Sequence, residues 1–298
     1  MSIAADDEFE EPGRQSGRQS GQQSGQQSGQ QSGQQSGQQS GQHSAIRALV
    51  FDFDGLVVDT ETPEFLAWQE IFVDHGAVLE LATWAGVIGT TDHHFDPYTA
   101  LEHASCRTVD RDAIRTARRA RIRELLSDQP VLPGVEDYLR QARDRGLRVG
   151  LASSSSRDWV HGHLAERGLL HHFDTIRTGD EVERTKPDPT LYRLATADLG
   201  VEPARAVALE DSPNGVAAAK RAGMFCVVVP NPLTRQLDVA AADLRVDSLA
   251  NLPLTQLLHT ARTWSERANR AEPPGEPAGE PPADTGSEKV VTPQAERG

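Results

Sequence analysis

Short apolar runs recur between residues 46 and 262, separated by helical patterns, and most of them end on a polar or acidic residue. The runs are IRALVFD from residue 46, LRVGLAS from 147, a weaker TIRTGD from 175, ARAVALED from 204 and FCVVVP from 225. Near-continuous apolar strands alternating with helices predict an α/β fold, a Rossmann-like, doubly wound parallel sheet covered on both faces. In such sheets ligands bind outside the carboxyl ends of the strands, so chemistry is expected at the end residues.

The first connection is too long for a simple crossover. Phe65, Trp68, Ile71, Phe72 and His75 fall at helical spacing, with Pro63 near the helix start and Gly76 at its end, and a later helix is expected over 111–127. Residues 61–129 therefore read as an inserted α-helical cap domain that splits the core into 45–60 and 130–262. Outside these limits the pattern stops. Residues 14–41 repeat RQSG twice and QQSG five times without one apolar side chain, and the chain from 271 onward is rich in Pro, Gly and Glu. Neither stretch can offset the entropy of ordering, so disordered tails are expected over 1–44 and, for the most part, 263–298.

Charge narrows the partners. The formal net charge is −14, of which residues 1–44 carry −3 and 271–298 carry −4, leaving about −7 on the body. An acidic body argues against nucleic-acid binding and leaves a monomer or weak homodimer as the expected state. Cys106 and Cys226 lack metal-site or disulfide spacing and read as ordinary reduced thiols. An acidic N-terminus without an apolar core and the lack of an 18-residue apolar run point away from export and from a membrane, so a cytoplasmic location is expected.

Four polar clusters sit at or just past the expected strand ends: Asp52 with Asp54, Ser153, Lys186 in TKPDP, and Glu210 with Asp211. Each alone has an ordinary explanation as a turn, a helix cap or a solvated charge. A calcium loop starting at Asp52 fails, because its fifth, sixth and twelfth positions hold Leu56, Val57 and Pro63. Together the clusters make chemical sense. Converging carboxylates repel unless a divalent cation is bound, and oxygen ligands suit Mg²⁺, which keeps open positions for water and a phosphate oxygen. A lysine adds positive charge for the same anion, a serine adds a hydroxyl donor, and the loop after Asp52, including Gly55, adds backbone N–H groups.

FDFDGLVVDTE, LASSSS, TKPDP and LEDSPNGVAAAKRAGM resemble, in order, the four motifs of the haloacid dehalogenase superfamily, in the helical-cap subfamily that includes β-phosphoglucomutase-like enzymes and small-molecule phosphatases. The resemblance spans roughly 46–253. It implies Asp52 as nucleophile, Asp54 as general acid and then base, Ser153 and Lys186 on the transferring phosphoryl group, and Mg²⁺ held by Asp52, the Asp54 carbonyl and Asp211 with Glu210 in support. The implied reaction is Mg²⁺-dependent hydrolysis of a small phosphorylated metabolite, such as a sugar phosphate, through an aspartyl-phosphate. Asp54 counts against carbon–halogen chemistry, and the lysine-free stretch 61–129 excludes a Schiff-base phosphonatase.

A hexose-phosphate mutase is the alternative within the superfamily. The position aligned with a mutase histidine holds Glu64, and that aligned with a phosphate-binding arginine holds Asp92, which favours hydrolysis, although arginines between 107 and 123 are candidates to replace it. From a different class, a scaffold protein working through its QQSG tail is disfavoured by the intact acidic motifs. The pairs His93–His94, His161–His163 and His171–His172 read as surface histidines, with a substrate contact open for the first.

Overall fold

The computed structural model describes residues 45–90, 95–127 and 129–271. The whole of the expected N-terminal tail and the C-terminal one beyond Ala271 lie outside these residues, as do Asp92, His93 and His94.

Six parallel strands form one sheet: β1 (Ala48–Phe51), β2 (Arg148–Ala152), β3 (Thr175–Arg177), β4 (Ala206–Glu210), β5 (Phe225–Val228) and β6 (Leu244–Arg245), in the order β3-β2-β1-β4-β5-β6. Chain order reverses direction between β1 and β4, which pair in register from Ala48–Ala206 to Phe51–Leu209. That switch point leaves a crevice at the carboxyl ends of the two central strands.

Strand side chains alternate between faces, and the two faces differ. One carries Leu49, Phe51, Val149, Leu151, Val207, Leu209, Phe225 and Val227, packed against α5 (Val135–Asp144), α6 (Arg157–Glu166) and α9 (Leu254–Ala271). The other carries the smaller Ala48, Val50, Ala206, Ala208 and Cys226 beneath α7 (Thr190–Asp198) and α8 (Pro213–Arg221). Both faces are covered, which is why the strands read as unbroken apolar runs.

Between β1 and α5 lie α1 (Glu61–Asp74), α2 (Leu81–Trp84), α3 (Pro97–Ser105) and α4 (Arg111–Leu126). They share a cluster in which Phe65, Trp68, Phe72, Trp84, Leu101 and Ile114 are buried together, joined by Leu233 from the loop after β5. Each such side chain contributes about 1.5–3 kcal/mol on burial. Capping follows the sequence: Asp96 accepts from Tyr98 N–H ahead of α3, and Asp110 from two amides of α4. The chain leaves and re-enters the sheet region side by side, because Val58 bridges to Val131 and the Leu132 amide donates to the Val57 carbonyl at 2.9 Å.

Two features differ from expectation. β6 has two residues and no apolar run of its own, so its pattern is silent; it is recruited by pairing with β5. The expected end of the core at 262 is corrected: α9 continues to Ala271. Trp264 packs edge-on against Phe225 with ring centroids 5.5 Å apart, and Ser265 is buried, so the helix is held against the sheet beyond the point where the polar pattern suggested a tail.

Candidate active site

The ladder between β1 and β4 runs one residue past β1, since the Asp52 amide donates to the Leu209 carbonyl at 2.9 Å. Asp52 is thus fixed by the most central pairing in the sheet, and the residue is only 3% exposed. The chain then turns tightly, with the Gly55 amide donating to the Val58 carbonyl at 2.8 Å and Phe53, Leu56, Val57 and Val58 buried beneath. Gly55 has φ of 81°, and a Cβ there would sit inside van der Waals contact with Asp211 Oδ2 and 2.6 Å from Asn231 Nδ2. The DxDG spacing therefore reflects both a left-handed backbone and the approach of a second carboxylate.

β4 ends on Glu210 and delivers Asp211, both fully buried. Ser212 caps α8 by accepting from the Gly215 amide at 3.2 Å. A side chain at Gly215 would overlap the Glu210 carboxylate, so this helix can start close against the strand end only with glycine there. Lys186, 1% exposed, donates to Asp52 Oδ1 at 2.5 Å and to Glu210 Oε1 at 2.7 Å. The structure thus gathers Asp52, Lys186, Glu210 and Asp211 at the switch point.

Asp54 points the other way, into a second set of contacts. Its Oδ1 accepts from Thr60 Oγ1 and Trp159 Nε1, both at 2.8 Å, and its Oδ2 from Ser155 Oγ at 2.7 Å and Ser153 Oγ at 3.1 Å. Ser153 itself follows β2 and accepts from the Ser155 amide at 3.0 Å. All the expected site residues therefore meet at the carboxyl edge of β1, β2 and β4.

Sequence reasoning did not single out several of their partners. Thr60 and Glu61 close the first motif, and Ser155 lies in the serine run, so proximity in sequence was a usable signal. Trp159, Tyr192 and Asn231 carry none, because they reach the site from α6, α7 and the loop after β5. Tyr192 donates to Glu210 Oε1 at 2.5 Å, and Asn231 Nδ2 donates to Asp211 Oδ2 at 2.8 Å.

Electrostatics follow from this crowding. Burial pushes the Asp52 carboxyl up to about 8 against the pull of Lys186, with Glu210 and Asp54 adding to the rise. Asp211 is driven well above the carboxylate range by burial and then by Asp52 and Glu210. Burial would lower the Lys186 ammonium, but Asp52 and Glu210 together raise it above the ordinary lysine value. Such a site lacks positive charge for its acids.

A cation ligand set answers that lack. One oxygen from each of Asp52, Glu210 and Asp211 lies within 4.8 Å of the others, the group of metal-ligating type found among the described residues. Asp211 Oδ1 is buried and has no hydrogen-bond partner among the described residues. Glu210, by contrast, is engaged on both oxygens, by Lys186 and Tyr192 on one and the Asp211 amide on the other. Oxygen-only donors in this number fit Mg²⁺. Among the described residues the histidines form no such group: His163 packs against the Trp159 ring at 4.3 Å, and the rings of His171 and His172 lie 4.1 Å apart.

Above Asp52 and Asp54 opens a cavity of about 350 Å³, walled by Thr60, Glu61, Glu64, Trp84, Thr90 and Arg118 on the side of the helical insertion. The insertion touches the core around it, with Ser154 Oγ donating to the Gly89 carbonyl at 3.1 Å and Asn214 Nδ2 to the Ile88 carbonyl at 2.9 Å.

Comparison with known proteins agrees with this geometry. Residues 46–223 match the model of the haloacid dehalogenase-like hydrolase family. The chain is 48% identical over 213 residues to a Bacillus subtilis (strain 168) protein named "Putative phosphatase YhcW", covering 72% of this chain and 96% of that one. It is 33% identical over 218 residues to hexitol phosphatase B of Escherichia coli (strain K12), covering 72% of this chain and 97% of that one. In fold it is similar to a crystal structure of β-phosphoglucomutase from Clostridium difficile, at a TM-score of 0.60 and 23% identity, covering 74% of this chain and 98% of that one. With all four motifs gathered at one switch point and the family match extending from β1 through α8, the chain belongs to the haloacid dehalogenase-like hydrolases.

Proposed function

We propose that the protein is a Mg²⁺-dependent phosphatase that hydrolyses a small phosphorylated sugar or similar metabolite through an aspartyl-phosphate on Asp52. The observation that carries this reading is the division of labour between two adjacent carboxylates. Asp52 is held on one oxygen by Lys186, leaving the other to attack phosphorus, while Asp54 is held by four donors on the cavity side.

Asp52 forms the new P–O bond as the bond to the leaving oxygen breaks, and Asp54 gives that oxygen a proton. Asp54, now ionised, takes a proton from water, which attacks the aspartyl phosphorus and frees Asp52 and inorganic phosphate. Lys186 balances charge on the transferring group, and Ser153 turns its hydroxyl to the same group. Asp52, the Asp54 carbonyl and Asp211, supported by Glu210, would hold Mg²⁺, which supplies charge neutralisation to the phosphoryl oxygens when bound. The helical insertion acts as a cap over the cavity.

Hydrolysis is favoured over the mutase reaction because Glu64, at the cavity wall, stands at the position aligned with a mutase histidine, and Asp92 stands at the one aligned with a phosphate-binding arginine. Curated relatives named as phosphatases point the same way. The test is phosphate release by the full chain from a panel of sugar, polyol and acid phosphates with Mg²⁺, in parallel with an isomer assay primed by glucose 1,6-bisphosphate. Release without primer supports the proposal; primer-dependent isomerisation with little free phosphate contradicts it.

A further inference from the structure

Glu64 of α1 and Arg118 of α4 are 54 positions apart and form an ion pair at the cap wall, with side chains 30% and 21% exposed. Arg118 also lies over the Trp68 ring at 5.2 Å, which fixes the guanidinium against the cap core. Both residues border two cavities. One is the 350 Å³ cavity over Asp52 and Asp54. The other, about 680 Å³, carries Arg119 and Arg123 in addition. The pair therefore stands between the cavity over Asp52 and Asp54 and two further arginines, Arg119 and Arg123.

Its charge balance decides what the leaving-group side can accept. Facing the smaller cavity are the carboxyl groups of Asp52, Asp54, Glu61 and Glu64 against one guanidinium, which is already committed to Glu64. Among the described residues, an anionic group on the far side of the substrate meets no free cation there and a surplus of acids. Hydroxyls, in contrast, find a carboxylate acceptor and guanidinium donors fixed side by side, with Trp84 and Trp159 offering apolar surface to C–H faces. A volume of 350 Å³ falls at the small end of the range of about 300–1,000 Å³ for small-molecule sites, room for one ring or an open-chain hexitol.

We propose that the Glu64–Arg118 pair is the element that selects an uncharged, polyhydroxylated leaving group and rejects one bearing a second anionic group. The proposal rests on the phosphatase reading above. It makes Glu64 a neutraliser: without its charge, Arg118 becomes available, with Arg119 and Arg123 behind it, to a second phosphate.

The test compares kcat/KM of the full chain in Mg²⁺ on sorbitol 6-phosphate, fructose 1,6-bisphosphate and p-nitrophenyl phosphate, for wild type, Glu64→Gln, Arg118→Gln and the double variant. Wild type should prefer sorbitol 6-phosphate over the bisphosphate by about tenfold or more, the size of one charge-assisted contact. Glu64→Gln, nearly isosteric, should lower that ratio by about tenfold or more through a gain on the bisphosphate, and the gain should vanish in the double variant. Arg118→Gln, an independent arm, should show no gain on the bisphosphate. An active wild type whose ratio stays within about twofold in Glu64→Gln, or a bisphosphate gain in Arg118→Gln, overturns this inference alone. A wild type inactive on all three compounds, p-nitrophenyl phosphate included, overturns the phosphatase reading and this inference with it.

Discussion

Tyr192 and Lys186 donate to the same oxygen of Glu210, Oε1, at 2.5 and 2.7 Å, and the ammonium lies 5.1 Å from the centre of the tyrosine ring. The lysine that carries positive charge to Asp52 is therefore positioned by a fully buried phenol from the helix that follows it. Buried polar groups of this kind act as a unit, and losing one donor leaves its acceptor unsatisfied.

Tyr192→Phe is expected to destabilise the fold by about 1–2 kcal/mol and to lower kcat several-fold, with KM nearly unchanged, because the defect reaches the substrate through Lys186. Thermal melting and steady-state kinetics together check this. A variant of wild-type kcat would mean that Glu210 and Lys186 hold their places without the phenol.

Gly55 and Gly76 both adopt left-handed φ, at 81° and 72°, but only Gly55 lies against the acidic cluster. Gly76→Ala has open space and should cost about 1–2 kcal/mol of backbone strain alone. Gly55→Ala adds a clash with Asp211 and Asn231 and should cost about 1–3 kcal/mol more, with a loss of activity that Gly76→Ala does not share. Melting temperature and phosphate release on the two variants separate the effects.

Asp211 carries an oxygen with no partner among the described residues, beside Asp52. Mg²⁺ is expected to raise the melting temperature of the wild type, by an amount equivalent to about 2.7 kcal/mol at a hundredfold excess over Kd. Asp211→Asn keeps the shape, removes the charge and should abolish most of that increment. A full Mg²⁺ response in Asp211→Asn would place the cation elsewhere.

Trp264 lies beyond the polar boundary expected at 262, yet it packs on Phe225 and takes the Lys220 ammonium over its ring at 4.7 Å. Trp264→Ala should cost about 2–3 kcal/mol, less than a fully buried tryptophan, while leaving kcat unchanged. Chemical denaturation measures it.

The parts of this molecule that could be read from sequence are those where a local pattern and its consequence coincide. The β1 run ends in Asp52, and the β4 run ends in Glu210 and Asp211, so strand period and residue type together pointed to the buried acidic cluster of the candidate site. Lys186 was found by its motif rather than by any period, since it lies in a loop. Trp159, Tyr192 and Asn231 could not be found this way. Each takes part in the site only because a helix or loop packs back over the sheet, and nothing near them in sequence encodes that approach. The Glu64–Arg118 pair is of the same kind, joined by the packing of α1 on α4 across 54 positions. Trp264 escaped because one aromatic in a charged helix gives a weak apolar stripe, although a single ring suffices to bind the helix to Phe225.

The central claim is that Asp52 is the nucleophile of a phosphatase, and phosphate release from sorbitol 6-phosphate by wild type and Asp52→Asn, each with Mg²⁺ or EDTA, tests it most directly. Wild type should release phosphate with Mg²⁺ and not with EDTA, and Asp52→Asn should fall by roughly a thousandfold or more, since a catalytic unit without its nucleophile retains little of its rate. Release by Asp52→Asn within about tenfold of wild type would contradict the account.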